Sequence, residues 1–195
     1  MTHFLHRLLF FGLLILTACS QTAHWRLNDV SGHLPDLQFT LTSDSGRPVT
    51  AADFRGKFVV MYFGYTHCPD VCPLTLAHLH SVMQKLGNVA DEIRILFVSV
   101  DPARDTPAIL RQYVTAFDPN VTGLTGTPAQ IAVIAKRYRV VFNPDAPHSG
   151  DDYEVSHSSG IYIFDRAGHA RLLATSADTV DAITHDLKLL TGGGP

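Results

Sequence analysis

Phe58-Val59-Val60-Met61-Tyr62-Phe63-Gly64-Tyr65-Thr66-His67-Cys68-Pro69-Asp70-Val71-Cys72-Pro73 is the stretch that decides the reading of this chain. From Phe58 to Gly64 the residues are continuously apolar, the pattern of a central strand buried on both faces. Pro73 suits the first turn of a helix, and Leu76, Leu79, Met83 and Leu86 then recur at helical spacing. A strand feeding a helix through a short loop puts Cys68 and Cys72 at the helix N-terminus. Unpaired N–H groups and the helix dipole there favour the thiolate. Thiolates so placed either exchange disulfides or bind a soft metal.

Working outward, residues 93–100 read as a second central strand, and Asp105-Thr106-Pro107 opens a helix reaching Phe117. A further helix runs from Pro128 to Tyr138, capped by Thr127. Residues 37–42 alternate apolar and polar like a strand, followed by the turn Ser43-Asp44-Ser45-Gly46. Residues 160–164 and 171–174 read as a hairpin joined by Asp165-Arg166-Ala167-Gly168. Residues 178–190 form a closing helix before the tail Gly192-Gly193-Gly194-Pro195. This order implies an α/β fold, a thioredoxin-like mixed sheet with helices on both faces. The cysteines then follow the first central strand, at the carboxyl edge where α/β sheets carry their sites.

A content of 46% hydrophobic and 17% charged residues is that of a globular protein. The net charge of −3, with no basic block, argues against nucleic acid as a partner. At the N-terminus Arg7 precedes an apolar stretch, residues 8–16, too short to span a bilayer. It reads as the core of a secretory signal. Leu16-Thr17-Ala18-Cys19 resembles a bacterial lipobox, which implies cleavage before Cys19 and a lipid on its sulfur. Residues 1–18 are thus expected to be a lipoprotein signal peptide, 19–35 a polar tether and 36–191 the domain. The expected location is the bacterial cell envelope, facing the periplasm and lipid-anchored to a membrane. That compartment is oxidising, so Cys68 and Cys72 tend toward a disulfide unless something reduces them.

Two soft sulfur donors suit copper, and a two-cysteine site needs a third ligand; imidazole suits both Cu(I) and Cu(II). His157, in Val155-Ser156-His157-Ser158-Ser159, is the candidate. It precedes the hairpin strand, in a loop that a thioredoxin-like sheet brings near the cysteines. Thiol oxidoreductases of this fold carry a cis-proline there, and no proline occurs between Gly150 and Phe164. His67 adjoins Cys68, but consecutive side chains at a strand end point opposite ways. Asp70 is either an outer-shell carboxyl or turn and cap chemistry. Asp101 is either outer-shell or part of a strand-end turn. Met61 and Met83 fill core. A thiol peroxidase of this fold places a threonine three residues before its reactive cysteine, where this chain has Tyr65.

Residues 63–73 resemble the signature of the Sco/SenC family. Val98-Ser99-Val100-Asp101-Pro102-Ala103-Arg104-Asp105-Thr106-Pro107, Leu124-Thr125-Gly126-Thr127, Tyr138-Arg139-Val140 and the His157 loop before Tyr162-Ile163-Phe164-Asp165 resemble further family segments, in matching order. The resemblance implies a membrane-anchored, thioredoxin-like copper chaperone that helps assemble the copper-A centre of cytochrome c oxidase. Its ligands would be Cys68, Cys72 and His157, and its partner an apo copper-A subunit or another copper protein. Ser156 departs from the aspartate that members often carry before the histidine. The alternative activity is thiol–disulfide oxidoreductase, with Cys68 attacking and Cys72 resolving.

Overall fold

The apolar run forms a strand, Phe58–Gly64, buried at every residue, which requires cover on both faces. The computed structural model describes residues 24–144, 155–157 and 160–192. These contain ten strands: β1 (Asn28–Asp29), β2 (Thr40–Ser43), β3 (Pro48–Thr50), β4 (Phe58–Gly64), β5 (Ile93–Ser99), β6 (Val121–Thr125), β7 (Phe142–Pro144), β8 (Val155–His157), β9 (Ile161–Phe164) and β10 (Ala170–Ala174). Four α-helices intervene: α1 (Val71–Leu86), α2 (Pro107–Thr115), α3 (Pro128–Arg137) and α4 (Val180–Thr191). Eight strands form one sheet in the order β1-β10-β9-β4-β5-β6-β2-β3, while β7 and β8 make a separate ribbon. β4 pairs parallel with β5, and β5 with β6; β9 lies antiparallel on the other side of β4. This mixed sheet flanked by helices is the thioredoxin-like arrangement that the element order implies.

Successive β4 side chains take opposite faces. The Tyr62 ring lies 6.1 Å from Phe97, which lies 5.6 Å from Tyr113 of α2. Phe63 instead meets Tyr138, at the end of α3, and Tyr162 of β9. The helix starts follow local chemistry. Thr106, Thr127 and Thr179 each accept a hydrogen bond from a backbone N–H of the first turn, and Pro107 and Pro128 occupy the position where no N–H is needed. Gln130 completes a capping box with Thr127.

The structure departs from expectation at several elements. β6 lies at the heart of the sheet, yet Gly123 and two threonines hide it in the sequence. Gly123 is there because a Cβ would come within 3.0 Å of Leu110 on α2. The strand expected at 37–42 is displaced to Thr40–Ser43; Leu37 and Phe39 are buried without joining it. The expected tether is, from Trp25 onward, part of the domain. β1 pairs with β10, Leu27 is in the core, and the Arg26 and Leu27 amides donate to the buried Asp186 carboxyl. Gly192, expected in the tail, is the left-handed C-cap of α4 at φ 81°.

Candidate metal centre

The chain leaves β4 at Gly64, turns through Tyr65–Cys68 with the Cys68 N–H donating to the Tyr65 carbonyl, and enters α1 at Val71. Cys68 precedes the helix and is half-buried; Cys72 is the second residue of the helix and is fully buried. The Cys72 N–H donates to the Cys68 Sγ at 3.4 Å, so the two sulfurs occupy a single turn. Both are thiols, with no disulfide between them.

The sequence leads one to expect both sulfurs to be activated by the helix N-terminus; the structure separates them. Burial pushes the Cys68 thiol up, but the backbone N–H groups of Cys72, Asp70 and Val71 converge on it and carry it below its ordinary value. Cys72 is pushed up to about 12, chiefly by burial, against the opposing hydrogen bond from Tyr62. That bond runs from the Tyr62 hydroxyl to the Cys72 Sγ at 3.6 Å, and burial first, then the neighbouring sulfur, raises the Tyr62 phenol in turn. Gly64 makes this packing possible, since a Cβ there would lie 2.8 Å from the Cys72 Sγ and 2.7 Å from the Phe97 ring.

Asp70 stands at the N-cap of α1, but its side chain makes no capping bond; it is exposed and contributes backbone alone. Asp101 is buried at the end of β5. Its carbonyl accepts from the Arg104 and Asp105 amides, and its carboxyl holds the Arg104 guanidinium, which lies 5.8 Å over the Tyr65 ring. The strand-end turn is therefore present. The half-exposed His67 places its Nδ1 3.1 Å from the Thr66 hydroxyl. Sequence reasoning missed Asp105, reading it as a helix start. The cap is Thr106, and Asp105 turns inward, fully buried, to accept from the Thr66 N–H, the Thr66 hydroxyl and the Ser99 hydroxyl. Only an acidic residue just before a cap hints at this in the sequence.

His157 is the last residue of β8, its backbone opposite Phe142. β9 follows and enters the sheet with Ile161 opposite Tyr62, at the end of β4 that leads to the cysteines. The His157 side chain and Cys19 lie outside the described residues. Among the described residues, no helix is long and apolar enough to cross a membrane, and no three His, Cys, Asp or Glu side chains gather as a metal site. An apolar cavity of about 490 Å³ between β2 and α3, lined by Phe39, Leu41, Val133 and Ile134, shares no residue with the cysteine loop.

The chain is similar to SCO2, mitochondrial, of Saccharomyces cerevisiae, 43% identical over 133 residues. The match covers 67% of this chain but only 44% of the yeast protein. Among solved structures it resembles Bradyrhizobium japonicum ScoI with copper bound, with a TM-score of 0.73 and 39% identity over 80% of this chain and 98% of that one. It also resembles a SCO1/SenC family lipoprotein from Bacillus anthracis, with a TM-score of 0.67 and 27% identity over 80% and 94% of the two chains. The SCO1/SenC family model matches residues 31–192, a span that takes in the strand, the two-sulfur turn, the Asp101–Asp105 loop and β8 alike. With its fold and its cysteine turn both inside that span, the chain belongs to the SCO1/SenC family.

Proposed function

We propose that this protein is a copper-binding assembly protein that loads a copper ion on Cys68, Cys72 and His157. It then passes the ion by ligand exchange to an apo copper protein, the copper-A subunit of cytochrome c oxidase in the reading that the family resemblance supports. The observation that carries this is the paired-sulfur turn at the carboxyl edge of β4. Two thiols side by side where the loop enters the helix are a soft donor pair, and the strand that follows His157 enters the sheet beside that edge. The copper in the Bradyrhizobium relative supports the same choice of metal.

Binding requires thiolates, so loading releases protons, including that of the buried Cys72. Tyr62 can keep its hydrogen bond to the Cys72 sulfur as charge builds there. A Cys68–Cys72 disulfide would remove both donors, so the redox state of the pair gates uptake. We further infer that Cys19 carries a lipid holding the domain to a membrane of the cell envelope. The lipobox supports this, as does the lipoprotein named among the relatives.

The test is metal analysis with Cu(I) competition titration on the reduced protein, wild type beside His157→Ala. Wild type should hold one copper. The variant should bind more weakly by at least about ten-fold, since even outer-shell losses reach that scale. Unchanged affinity in the variant would remove the imidazole from the site.

The asymmetry of the thiols favours a second reading, thiol–disulfide oxidoreductase. Cys68, accessible and thiolate-prone, would attack a partner disulfide, and buried Cys72 would resolve the mixed disulfide. The partner leaves as a dithiol while this pair is oxidised. Three intervening residues, where such enzymes have two, count against it. Partner reduction that needs both cysteines but tolerates His157→Ala would favour the enzyme.

A further inference from the structure

We propose that Asp105 is a positioning residue that latches the two-sulfur turn onto the end of β5 and so holds it ready for metal; in its metal-binding consequence the proposal rests on the copper reading above. Asp105 is fully buried, and its two oxygens accept three hydrogen bonds. One oxygen takes the Thr66 hydroxyl at 2.6 Å; the other takes the Thr66 N–H at 3.1 Å and the Ser99 hydroxyl at 2.6 Å. Both donors of Thr66, two residues before Cys68, thus end on one side chain.

The far side of the latch is rigid. Ser99 is the last residue of β5 and pairs with Gly64 in the parallel ladder. The Ser99 hydroxyl also accepts from the Asp101 N–H, and the Asp105 N–H donates to the Asp101 carbonyl. A closed set of bonds therefore links the exit of β4, the exit of β5 and the start of α2. The loop carrying Cys68 otherwise crosses from β4 to α1 through exposed residues, His67, Pro69 and Asp70. A metal that needs two sulfurs at fixed separation binds more tightly when the loop holding one of them is ordered beforehand. A buried group with three donors on it is the element that can do this, because its removal leaves those donors without an acceptor.

The test compares the whole reduced protein as wild type, Asp105→Ala, Thr66→Val and Asp186→Ala. Asp186 is an equally buried carboxyl that clasps Arg26 and Leu27, outside the metal centre, and serves as the stability control. Two quantities are read: Cu(I) affinity by competition with a colorimetric chelator, and hydrogen exchange at the Thr66 amide in the metal-free state. Asp105→Ala should lose about ten-fold in Cu(I) affinity, the scale of lost outer-shell support, and should lose protection at Thr66. Thr66→Val, which removes one arm only, should fall between, and Asp186→Ala should bind Cu(I) as wild type does. Wild-type affinity in Asp105→Ala, or an equal loss in Asp186→Ala, overturns the proposal. If Asp105→Ala does not fold, Thr66→Val decides, and wild-type affinity there overturns it. A wild-type protein that takes no Cu(I) overturns the copper reading instead. The Thr66 amide then still decides the latch, which stands if exchange is faster in Asp105→Ala than in Asp186→Ala and falls if the two agree.

Discussion

At the scale of single residues, the junction of loop and helix gives two cysteines opposite characters. Cys68 sits where three amide N–H groups converge and solvent still reaches; Cys72 sits where the sheet and Tyr62 enclose it. Reactivity follows the thiolate, so the two should label differently. In the reduced, metal-free protein, iodoacetamide should modify Cys68 first, and its rate should rise with pH through a midpoint below that of an ordinary cysteine. A lowered value means that the thiolate is already present at the pH where a free thiol is still protonated. Cys72, pushed up to about 12 and buried, should stay unlabelled until the fold opens. Peptide mapping by mass spectrometry reads both, and equal labelling of the two would contradict the asymmetry. The pair itself was legible because its chemistry is local: two cysteines, a proline and an apolar strand within a few residues. The asymmetry was not, because it depends on Tyr62 and on which sulfur faces the sheet. Asp105 was hidden for the same reason, its partners Thr66 and Ser99 lying elsewhere in the chain.

At the scale of elements, β4 and α1 approach so closely that one position has no room for a methyl group. Gly64 has ordinary backbone conformation, so space alone fixes it: a Cβ would meet the Phe97 ring at 2.7 Å and the Cys72 Sγ at 2.8 Å. Gly64→Ala must therefore push α1 or Phe97 away. Overpacking of a tight core costs about 1–3 kcal/mol, so thermal unfolding should shift down and Cu(I) affinity should fall with it, because the displaced atom is a proposed donor. A variant with unchanged melting and unchanged affinity would show that the two elements separate freely. Elements whose signals are local were readable in advance. β4 and β5 are apolar throughout their central residues, and α3 opens on Thr127-Pro128 with Gln130 completing its box. β6 was not, since its Gly123 reads as a breaker and serves a helix contact instead. The ribbon β7–β8 was missed as well. It pairs Phe142 with His157 across a sequence gap that no short-range pattern spans.

At the scale of the whole molecule, the sheet ends in a strand contributed by the chain's N-terminal part, and a single carboxyl secures it. Asp186 on α4 is fully buried, accepts from the Arg26 and Leu27 amides at 2.9 and 2.8 Å, and contacts His185 Nδ1 at 2.8 Å. The segment looked like a tether because its residues are polar and unperiodic; the acceptor that orders it lies 159 residues away. β1 covers the open edge of β10, and Trp25, Val30 and Leu34 add apolar contact to the core. From Trp25 onward this segment is therefore an ordered strap on the domain. Asp186→Ala leaves the buried Leu27 N–H and the part-buried Arg26 N–H without an acceptor, at a cost of about 1–3 kcal/mol. In a domain of this size each kcal/mol lowers the melting temperature by about 2–4 °C, so the variant should melt several degrees early. Trypsin should cut after Arg26 faster than in wild type, because the strap detaches before the sheet opens. Cu(I) affinity should not change, since the clasp shares no residue with the cysteine turn. Early melting without faster cleavage at Arg26 would mean that the carboxyl stabilises α4 and leaves the strap to its apolar contacts.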